Sequence, residues 1–230
     1  MKAIRTLAVI FSCVFFTSTC LSAEIWPKSP AKTYHKSVVR LGSSSGMGGS
    51  GSVIKFIKDS KEHPDYYVGL ILTASHVIKD SDDLFVVKFT NGEITIKNTV
   101  AVKMPIGTDR YNDVGLIRAL IPDDIVPLEF TSELPKVGET VEMLGYGTGD
   151  LRNWSAVYAG SPMGNDGLIV FSWAIQGDSG GPIIYNGKVI GVICWGTGVG
   201  KFKNTSRLII CPINGSNVGR VKNFIKAFSA

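Results

Sequence analysis

The feature that most constrains the fold of this chain is a succession of short apolar segments, bounded by Gly, Asn, Asp or Pro. Many are rich in Val, Ile and aromatic residues, a composition that is typical of β-strands. A first series runs over residues 37–41, 52–57, 67–73, 84–89, 94–102 and 114–120. After a connection rich in proline and acidic residues, a second series runs over 140–146, 154–159, 168–173, 182–185, 188–195 and 207–212. The pattern predicts two groups of about six strands.

Two local signals complete this prediction. Asn186-Gly187 lies between two apolar segments and is typical of a two-residue hairpin turn. Only the C-terminal stretch has a helical period, with one apolar face made of Val218, Val221, Phe224, Ile225 and Phe228. We therefore expect an all-β protein with a C-terminal α-helix. The stretch rich in glycine and serine at 42–52 is expected to be a flexible loop, with contact to a substrate as the alternative.

The first 23 residues have the layout of a secretory signal peptide. Lys2 and Arg5 precede an apolar run over residues 7–16, and small residues lead to a cleavage position after Ala23. The run is shorter than the ~20 residues that a membrane-spanning helix needs. An uncleaved anchor and a lipoprotein modified at Cys20 are the alternatives. With cleavage, the protein is secreted or periplasmic, without stable insertion in a membrane.

The charge of the chain bears on its partners. The formal net charge is +5, Lys2 and Arg5 leave with the signal peptide, and the remaining Lys and Arg residues are scattered. Such a weak excess of positive charge does not indicate a nucleic-acid partner.

Two of the four cysteines, Cys194 and Cys211, lie outside the signal peptide. In an oxidising compartment they could form a disulfide. They could also be two buried thiols that act as small apolar side chains. Their spacing leaves both alternatives open, because it does not reveal the geometry that a disulfide requires.

The stretch GDSGGP, residues 177–182, places one hydroxyl between an acid and two glycines. A serine hydroxyl becomes a useful nucleophile only beside a base, which is in turn oriented by a third group. Acyl transfer also needs backbone N–H groups that point at the developing negative charge, and glycine permits the unusual turn that this requires. Ser179 is therefore a candidate nucleophile, and the N–H groups of Gly177 and Ser179 are candidate donors.

A base for Ser179 is available at the end of an apolar strand, in LTASHVI, where His76 lies. Asp113, which directly precedes another apolar strand, could accept the imidazole N–H or merely cap that strand. A lone histidine in such a place is usually a core residue, but His76 is not alone. The other two histidines, His35 and His63, are expected to be solvated.

The motifs LTASHVI, NDVGLI and GDSGGP, in this order, resemble the His, Asp and Ser motifs of chymotrypsin-like (trypsin-like) serine proteases. The resemblance implies two six-stranded antiparallel β-barrels, here assigned to residues 24–128 and 129–230, with the site in the cleft between them. It also implies a catalytic triad of His76, Asp113 and Ser179, and an oxyanion hole formed by the N–H groups of Gly177 and Ser179. The expected substrate is a protein or peptide, with neither a cofactor nor a metal.

The chain departs from the branch of this family that is activated by proteolysis. No Ile-Val-Gly-Gly type segment occurs near the mature start, and KSVVRLGSSSG and GSGSVI instead resemble bacterial HtrA-like enzymes, here without a PDZ domain. Asp178 therefore has no evident N-terminal partner, and we expect a site that forms without proteolytic activation. Cys194 stands where the family often has a serine that helps to hold the catalytic acid.

By the same resemblance, four residues are expected to contact the substrate: Trp173, Gln176, Trp195 and Gly196. Trp173 is not an acid, so a preference for Lys or Arg at the cleaved bond is unsupported, and small or apolar residues are favoured slightly. A catalytically silent binding protein and an esterase that uses the same triad are the alternative functions. The sequence does not indicate an oligomeric state.

Overall fold

The structure is a computed structural model, which describes residues 33–43, 48–61, 64–78, 85–89, 92–94, 100–103, 113–160, 168–172, 174–198, 206–212 and 216–229. The predicted signal peptide, His63 and Trp173 lie outside these residues. The structure is all-β apart from one C-terminal α-helix and two short 3₁₀-helices, as predicted. No helix in the described ranges is long and apolar enough to cross a membrane.

The first half of the chain forms one antiparallel sheet of seven strands in the order β5-β4-β1-β2-β3-β7-β6. These strands are β1 (Val38–Ser43), β2 (Gly48–Asp59), β3 (Tyr66–Thr73), β4 (Phe85–Phe89), β5 (Gly92–Ile94), β6 (Val100–Lys103) and β7 (Gly115–Pro122). The expected flexible loop at 42–52 is therefore partly wrong, because its second part begins β2.

The count of seven strands differs from the predicted six because the segment 94–102 is divided. Its two ends lie in β5 and β6, which are the opposite edges of the sheet. The stretch from Ile94 to Val100 reaches no further than about 22 Å when fully extended. The edges of a flat seven-stranded sheet would lie about 29 Å apart, so the sheet must bend. Its edge strands β5 and β6 are not paired with each other in the described residues, so the closed six-stranded barrel expected here was wrong.

The second half forms a closed barrel of six antiparallel strands in the order β10-β13-β12-β11-β8-β9, as predicted. These strands are β8 (Thr140–Gly145), β9 (Arg152–Gly160), β10 (Leu168–Ser172), β11 (Pro182–Tyr185), β12 (Lys188–Gly198) and β13 (Ser206–Pro212). Asn186 and Gly187 join β11 to β12 with φ angles of 50° and 77°. Two positive φ angles in a two-residue turn are the signature of the predicted hairpin.

The C-terminal helix α1 (Ser216–Phe228) packs against the larger hydrophobic core, which is built mainly from the first sheet and also includes barrel residues such as Leu144 and Val192. Its buried residues Val221 and Ile225 belong to that core. Just beyond the helix, the Ser229 hydroxyl accepts a hydrogen bond from Lys55 Nζ on β2 at 3.0 Å. The apolar face that was predicted from the sequence therefore joins the end of the chain to its first half.

The connection between the halves changes sides between Leu128 and Glu129. The Leu128 N–H donates to Val53 O of the first sheet at 2.8 Å. The Glu129 carbonyl accepts from Val189 N of the barrel at 2.8 Å. This change falls at the boundary that we expected between residues 128 and 129, while the division into two domains stays a prediction.

The expectation that His35 is solvated was wrong. His35 lies in the 3₁₀-helix Thr33–Ser37 and is only 7% exposed. Its Nε2 lies 3.1 Å from Oε1 of Glu142 on β8, and the hydroxyl of Tyr34 donates to Oε2 of the same carboxylate. A partner more than 100 residues away, which no local pattern reveals, thus buries His35 and ties this segment to the barrel.

Candidate active site

His76 stands on a short turn that follows a buried strand. Strand β3 ends at Thr73, and the chain then forms a 3₁₀-helix over Ser75–Val77. The turn is fixed from a distance, because the Ser75 N–H donates to the carbonyl oxygen of Asp113 at 3.1 Å. Val77 is buried, whereas the His76 side chain keeps 33% of its surface exposed. The imidazole is therefore held in place and open to a ligand.

The Asp113 carboxylate is held by three hydrogen bonds from two adjacent residues. Its Oδ1 accepts from Ser75 Oγ at 2.5 Å and from the His76 backbone N at 2.8 Å. Its Oδ2 lies 2.5 Å from His76 Nδ1. Because an ionised carboxylate only accepts hydrogen bonds, we assign the imidazole proton to Nδ1. The other ring nitrogen, Nε2, is then a base.

The charge of Asp113 is favoured in this place. Burial raises the pKa of this carboxyl group, but the hydrogen bonds from His76 and Ser75 and the attraction of the imidazole outweigh that effect. The net result is a pKa below the ordinary value of Asp. The group therefore remains an anion that orients His76 and stabilises its charged form.

The turn that carries Ser179 is seated against the end of β3. Gly180 has a φ of 84°, and a Cβ at this position would lie 2.1 Å from Thr73 Oγ1 and 2.8 Å from Ala74 N. Only glycine fits such a contact and such a backbone angle. The Ser179 carbonyl also accepts a hydrogen bond from Ser50 N at 2.7 Å. The turn thus meets the segment that leads directly into His76.

Some of the N–H groups along this turn are bonded within the described part of the molecule and others are not. Three of them donate to carbonyl oxygens within the molecule: Asp178 N to Ile175 O at 3.1 Å, Gly180 N to Ile193 O at 2.7 Å and Gly181 N to Asp178 O at 3.0 Å. Gly177 N and Ser179 N make no such bond to a described backbone group. Gly177 has a φ of 100°, which glycine adopts without strain. Two N–H groups beside the Ser179 hydroxyl thus remain available to an oxyanion.

Asp178, the acid next to Ser179, forms an ion pair within the protein that was not predicted from the sequence. Asp178 is fully buried, and its Oδ2 accepts from Arg152 Nη2 at 2.6 Å and from Ile175 N at 2.9 Å. Its Oδ1 accepts from Gly147 N at 2.7 Å. Burial raises the pKa of Asp178, and these hydrogen bonds and the Arg152 charge only partly oppose that rise. Arg152 also lies over the Trp154 ring, 4.6 Å from its centroid.

Cys194 is a buried thiol on β12. Its Sγ lies 3.5 Å from the carbonyl oxygens of Asp113 and of Val192. Cys194 thus touches the backbone of Asp113, while Ser75 and the backbone N of His76 bind the carboxylate. Of the two alternatives for the cysteines, the structure has the thiol at Cys194, and the side chain of Cys211 lies outside the described part.

The residues expected to bind substrate are only partly visible. Gln176 is exposed and lies directly before Gly177. Trp195 and Gly196 lie on β12, where the structure gives their backbone alone. Trp173 lies outside the described residues. The roles of all four stay predictions.

Two hydroxyl residues of the site were also missed. Ser75 binds Asp113, and its position directly before His76 in the sequence was the signal that could have revealed it. Ser50 Oγ donates to Gly177 O at 2.7 Å and accepts from Tyr146 N at 2.9 Å. No sequence signal indicates that role, because Ser50 lies 127 residues from Gly177.

The sequence profile of the trypsin-like peptidase domain matches residues 49–192, which include His76, Asp113 and Ser179. No curated protein matches the chain in sequence.

Several solved structures share the fold. Rv3671c from M. tuberculosis H37Rv, an inactive form with a serine-to-alanine substitution, is 22% identical with a TM-score of 0.60, over 88% of this chain and 98% of that one. Kallikrein-related peptidase 10 in complex with Zn²⁺ is 17% identical with a TM-score of 0.63, over 86% and 100%. Mouse neuropsin, a serine protease of the limbic system, is 18% identical with a TM-score of 0.60, over 88% and 98%.

Proposed function

The chain belongs to the family of trypsin-like peptidases, and from this premise we propose that it is an exported serine endopeptidase. The proposed nucleophile is Ser179, the proposed base is His76, and Asp113 orients that base. The signal peptide predicted over residues 1–23 supports export and a secreted or periplasmic location. The HtrA-like branch remains the expected relationship within the family.

In the proposed mechanism, His76 Nε2 takes the proton of the Ser179 hydroxyl as Oγ attacks the carbonyl carbon of the substrate. The charged imidazole then gives that proton to the leaving amine, and the C–N bond breaks to leave an acyl-enzyme. A water molecule repeats the sequence, with His76 as base and then as acid, and releases the carboxylic acid. Asp113 remains an anion throughout, since its pKa is already below the ordinary range.

The observation that supports the proposal most is the presence of two N–H groups, at Gly177 and Ser179, that are unbonded within the described part of the chain. Gly177 N and Ser179 N make no hydrogen bond to a described backbone group, although the N–H groups of the three neighbouring residues are bonded. Such unpaired donors suit the oxygen of a tetrahedral intermediate, and the loss of one donor typically costs about 3 kcal/mol of transition-state stabilisation.

The ion pair between Arg152 and Asp178 supports a site that forms without proteolytic activation. Arg152 supplies the positive charge that this buried carboxylate needs, from within the second barrel and without a new N-terminus. We therefore expect the protein to be fully active once the signal peptide has been removed. A need for further trimming would contradict this part of the proposal.

The preference at the acyl side of the cleaved bond is proposed to be for small or apolar residues. This proposal rests on Trp173, Gln176, Trp195 and Gly196 and on the family resemblance. A peptide library in which Arg or Glu dominates at the cleaved bond would contradict it.

A fluorophosphonate probe tests the nucleophile, since it reacts with an activated serine. We expect the probe to label the wild-type protein at Ser179 and not to label Ser179→Ala. Absence of labelling on the folded wild-type protein would favour the catalytically silent alternative. Labelling together with hydrolysis of esters, but of no peptide in a broad library, would favour the esterase.

A further inference from the structure

A cleft of about 520 Å³ opens beside the candidate oxyanion hole. Its walls are the facing ends of β1 and β2, the turn 146–149, and the pair Gln176 and Gly177. Glycines make up much of this lining, so the walls leave room for a ligand. The cleft is continuous with Gly177, whose N–H is one of the two available donors.

The cleft lies next to the groups that handle the leaving amine. A Cβ on Gly49, which lines the cleft, would lie 2.7 Å from the Val77 side chain and 2.9 Å from Ser179 O. Val77 directly follows His76, the proposed proton donor to that amine. No described residue of β10 or β12, where acyl-side contacts are expected, lines the cleft. The cleft is thus placed to receive the part of a substrate that follows the cleaved bond.

One cation faces this cleft. Arg40 on β1 is paired in register with Ser50 on β2, so their side chains project from the same face of the sheet. Ser50 Oγ points at the turn of the active site, where it donates to Gly177 O. The Arg40 side chain extends to the neighbouring turn 146–149 of the cleft wall, where a Cβ on Gly149 would lie 3.7 Å from its Nη1.

Arg40 forms no ion pair with a described residue, although Asp150 directly follows Gly149 in the wall of the cleft. No Asp or Glu is among the described residues that line the cleft, and no described carboxylate forms an ion pair with Arg40. Its register neighbours are Ser50 on one side and Lys88 on the other. Arg40 is therefore the cation that the described lining of the cleft offers to an anion.

We propose that this cleft binds a carboxylate in the segment of the substrate that follows the cleaved bond, and that Arg40 is its recognition residue. The inference rests on the proposed peptidase function and extends it to a substrate class. A guanidinium binds a carboxylate through two parallel hydrogen bonds, which an ammonium cannot reproduce. The carboxylate belongs either to an Asp or Glu side chain or to the C-terminus of a short leaving peptide.

The test uses internally quenched peptides that share one cleaved bond and differ only in Glu or Gln at the first, second or third position after it. At the preferred position we expect kcat/KM to be about three- to tenfold higher for Glu than for Gln, as for a partly exposed charge pair. In Arg40→Gln this ratio falls to about one, and in Arg40→Lys it lies in between. Peptides with a free or an amidated C-terminus distinguish the two sources of the carboxylate.

Lys58→Gln is the matched control, because it removes the same charge from an exposed position on β2. This variant should keep the preference for Glu. The inference is overturned if the wild-type protein shows no preference for a carboxylate, or if the preference persists in Arg40→Gln.

A binding measurement separates this inference from the proposed function. In the Ser179→Ala background, fluorescence anisotropy compares labelled Glu and Gln peptides with and without Arg40→Gln. A Glu preference in binding that depends on Arg40, together with no peptide cleavage by the wild-type protein, would support the cleft and contradict the peptidase. Cleavage by the wild-type protein without any such preference, in binding or in turnover, would support the peptidase and contradict the Arg40 site.

Discussion

Two buried carboxylates flank the candidate site, Asp113 from the first sheet and Asp178 from the second barrel. Each accepts three hydrogen bonds. The donors of Asp113 come from the adjacent residues Ser75 and His76, one of which is the proposed base. Those of Asp178 are Arg152 and two backbone N–H groups, and none of them takes part in the proposed chemistry. One carboxylate prepares a side chain for proton transfer, whereas the other fixes the course of the backbone.

The two carboxyl groups also differ in their pKa. Burial raises both, but hydrogen bonds to His76 and Ser75 bring the pKa of Asp113 below its ordinary value, while Asp178 remains above its own. Asp113 keeps 9% of its side-chain surface exposed and Asp178 keeps none. The number of hydrogen bonds thus does not decide the pKa, because full burial can outweigh the same number of donors.

The largest effect should follow from Asp113→Asn, which disrupts the hydrogen bonds between Asp113 and its donors Ser75 and His76. An amide can present its NH₂ to the imidazole and favour the wrong tautomer, so His76 Nε2 would no longer be a base. We expect kcat to fall about 10³- to 10⁴-fold on a peptide substrate, with little change in the fold. Circular dichroism serves as the control for folding. A fall of less than about tenfold would contradict the role of Asp113.

A smaller effect, on stability, should follow from Arg152→Gln, which removes the ion pair between Arg152 and Asp178. This change leaves Asp178 buried without its positive partner. We expect the free energy of unfolding in urea to fall by about 3 kcal/mol, and activity to fall with it as the turn at Gly177 loses its support. Arg152→Lys, which keeps the charge, should lose less.

Lys188→Gln is the control for Arg152→Gln. Lys188 pairs with Glu129 at 3.0 Å, but both side chains are largely exposed. Such a pair contributes about 0–1 kcal/mol. An equal loss of stability in Lys188→Gln and Arg152→Gln would show that the burial of Asp178 is unimportant.

The smallest expected effect is on the pH dependence of stability, and it tests the difference in pKa between Asp113 and Asp178. Because the folded pKa of Asp113 lies below the unfolded value of 3.8, its contribution to stability is complete above that pH and is lost as the pH falls through the folded pKa. Urea unfolding between about pH 6 and about pH 3 should show a steeper acid decline for the wild-type protein than for Asp113→Asn. Parallel declines would contradict the assigned direction.

The raised pKa of Asp178 has the opposite effect on stability as the pH falls. Its native state takes up a proton more readily than the unfolded chain does, so this group opposes the acid decline instead of causing it. The comparison with Asp113→Asn removes this contribution, because Asp178 is present in both proteins.

Much of the fold was predictable because its boundaries are local. The strands of the second barrel were predicted to within a few residues, since glycine, proline and asparagine mark their ends. The division between β5 and β6 was not predicted, although Asn98 interrupts the alternation of the segment 94–102 and is a residue typical of turns. Their placement at opposite edges of one sheet depends on the pairing of all seven strands, which no local signal reveals.

The residues of the candidate site likewise include some that local motifs predicted and others that they did not. His76, Asp113 and Ser179 could be found because each lies in a recognisable motif. Arg152, Ser50 and the burial of His35 could not, because each depends on a partner that only the tertiary structure brings close. Motifs thus point to the proposed reacting groups, whereas the residues that hold them in position depend on long-range packing.

The fit of Gly180 against Thr73 and Ala74 has a consequence for folding. Since the turn bearing the proposed nucleophile Ser179 rests on the other half of the protein, neither half alone contains the whole candidate site. Unfolding of either half would therefore abolish the proposed activity. Enzymatic turnover and the near-ultraviolet signal of packed aromatic rings should then vanish over the same range of denaturant, as one cooperative event.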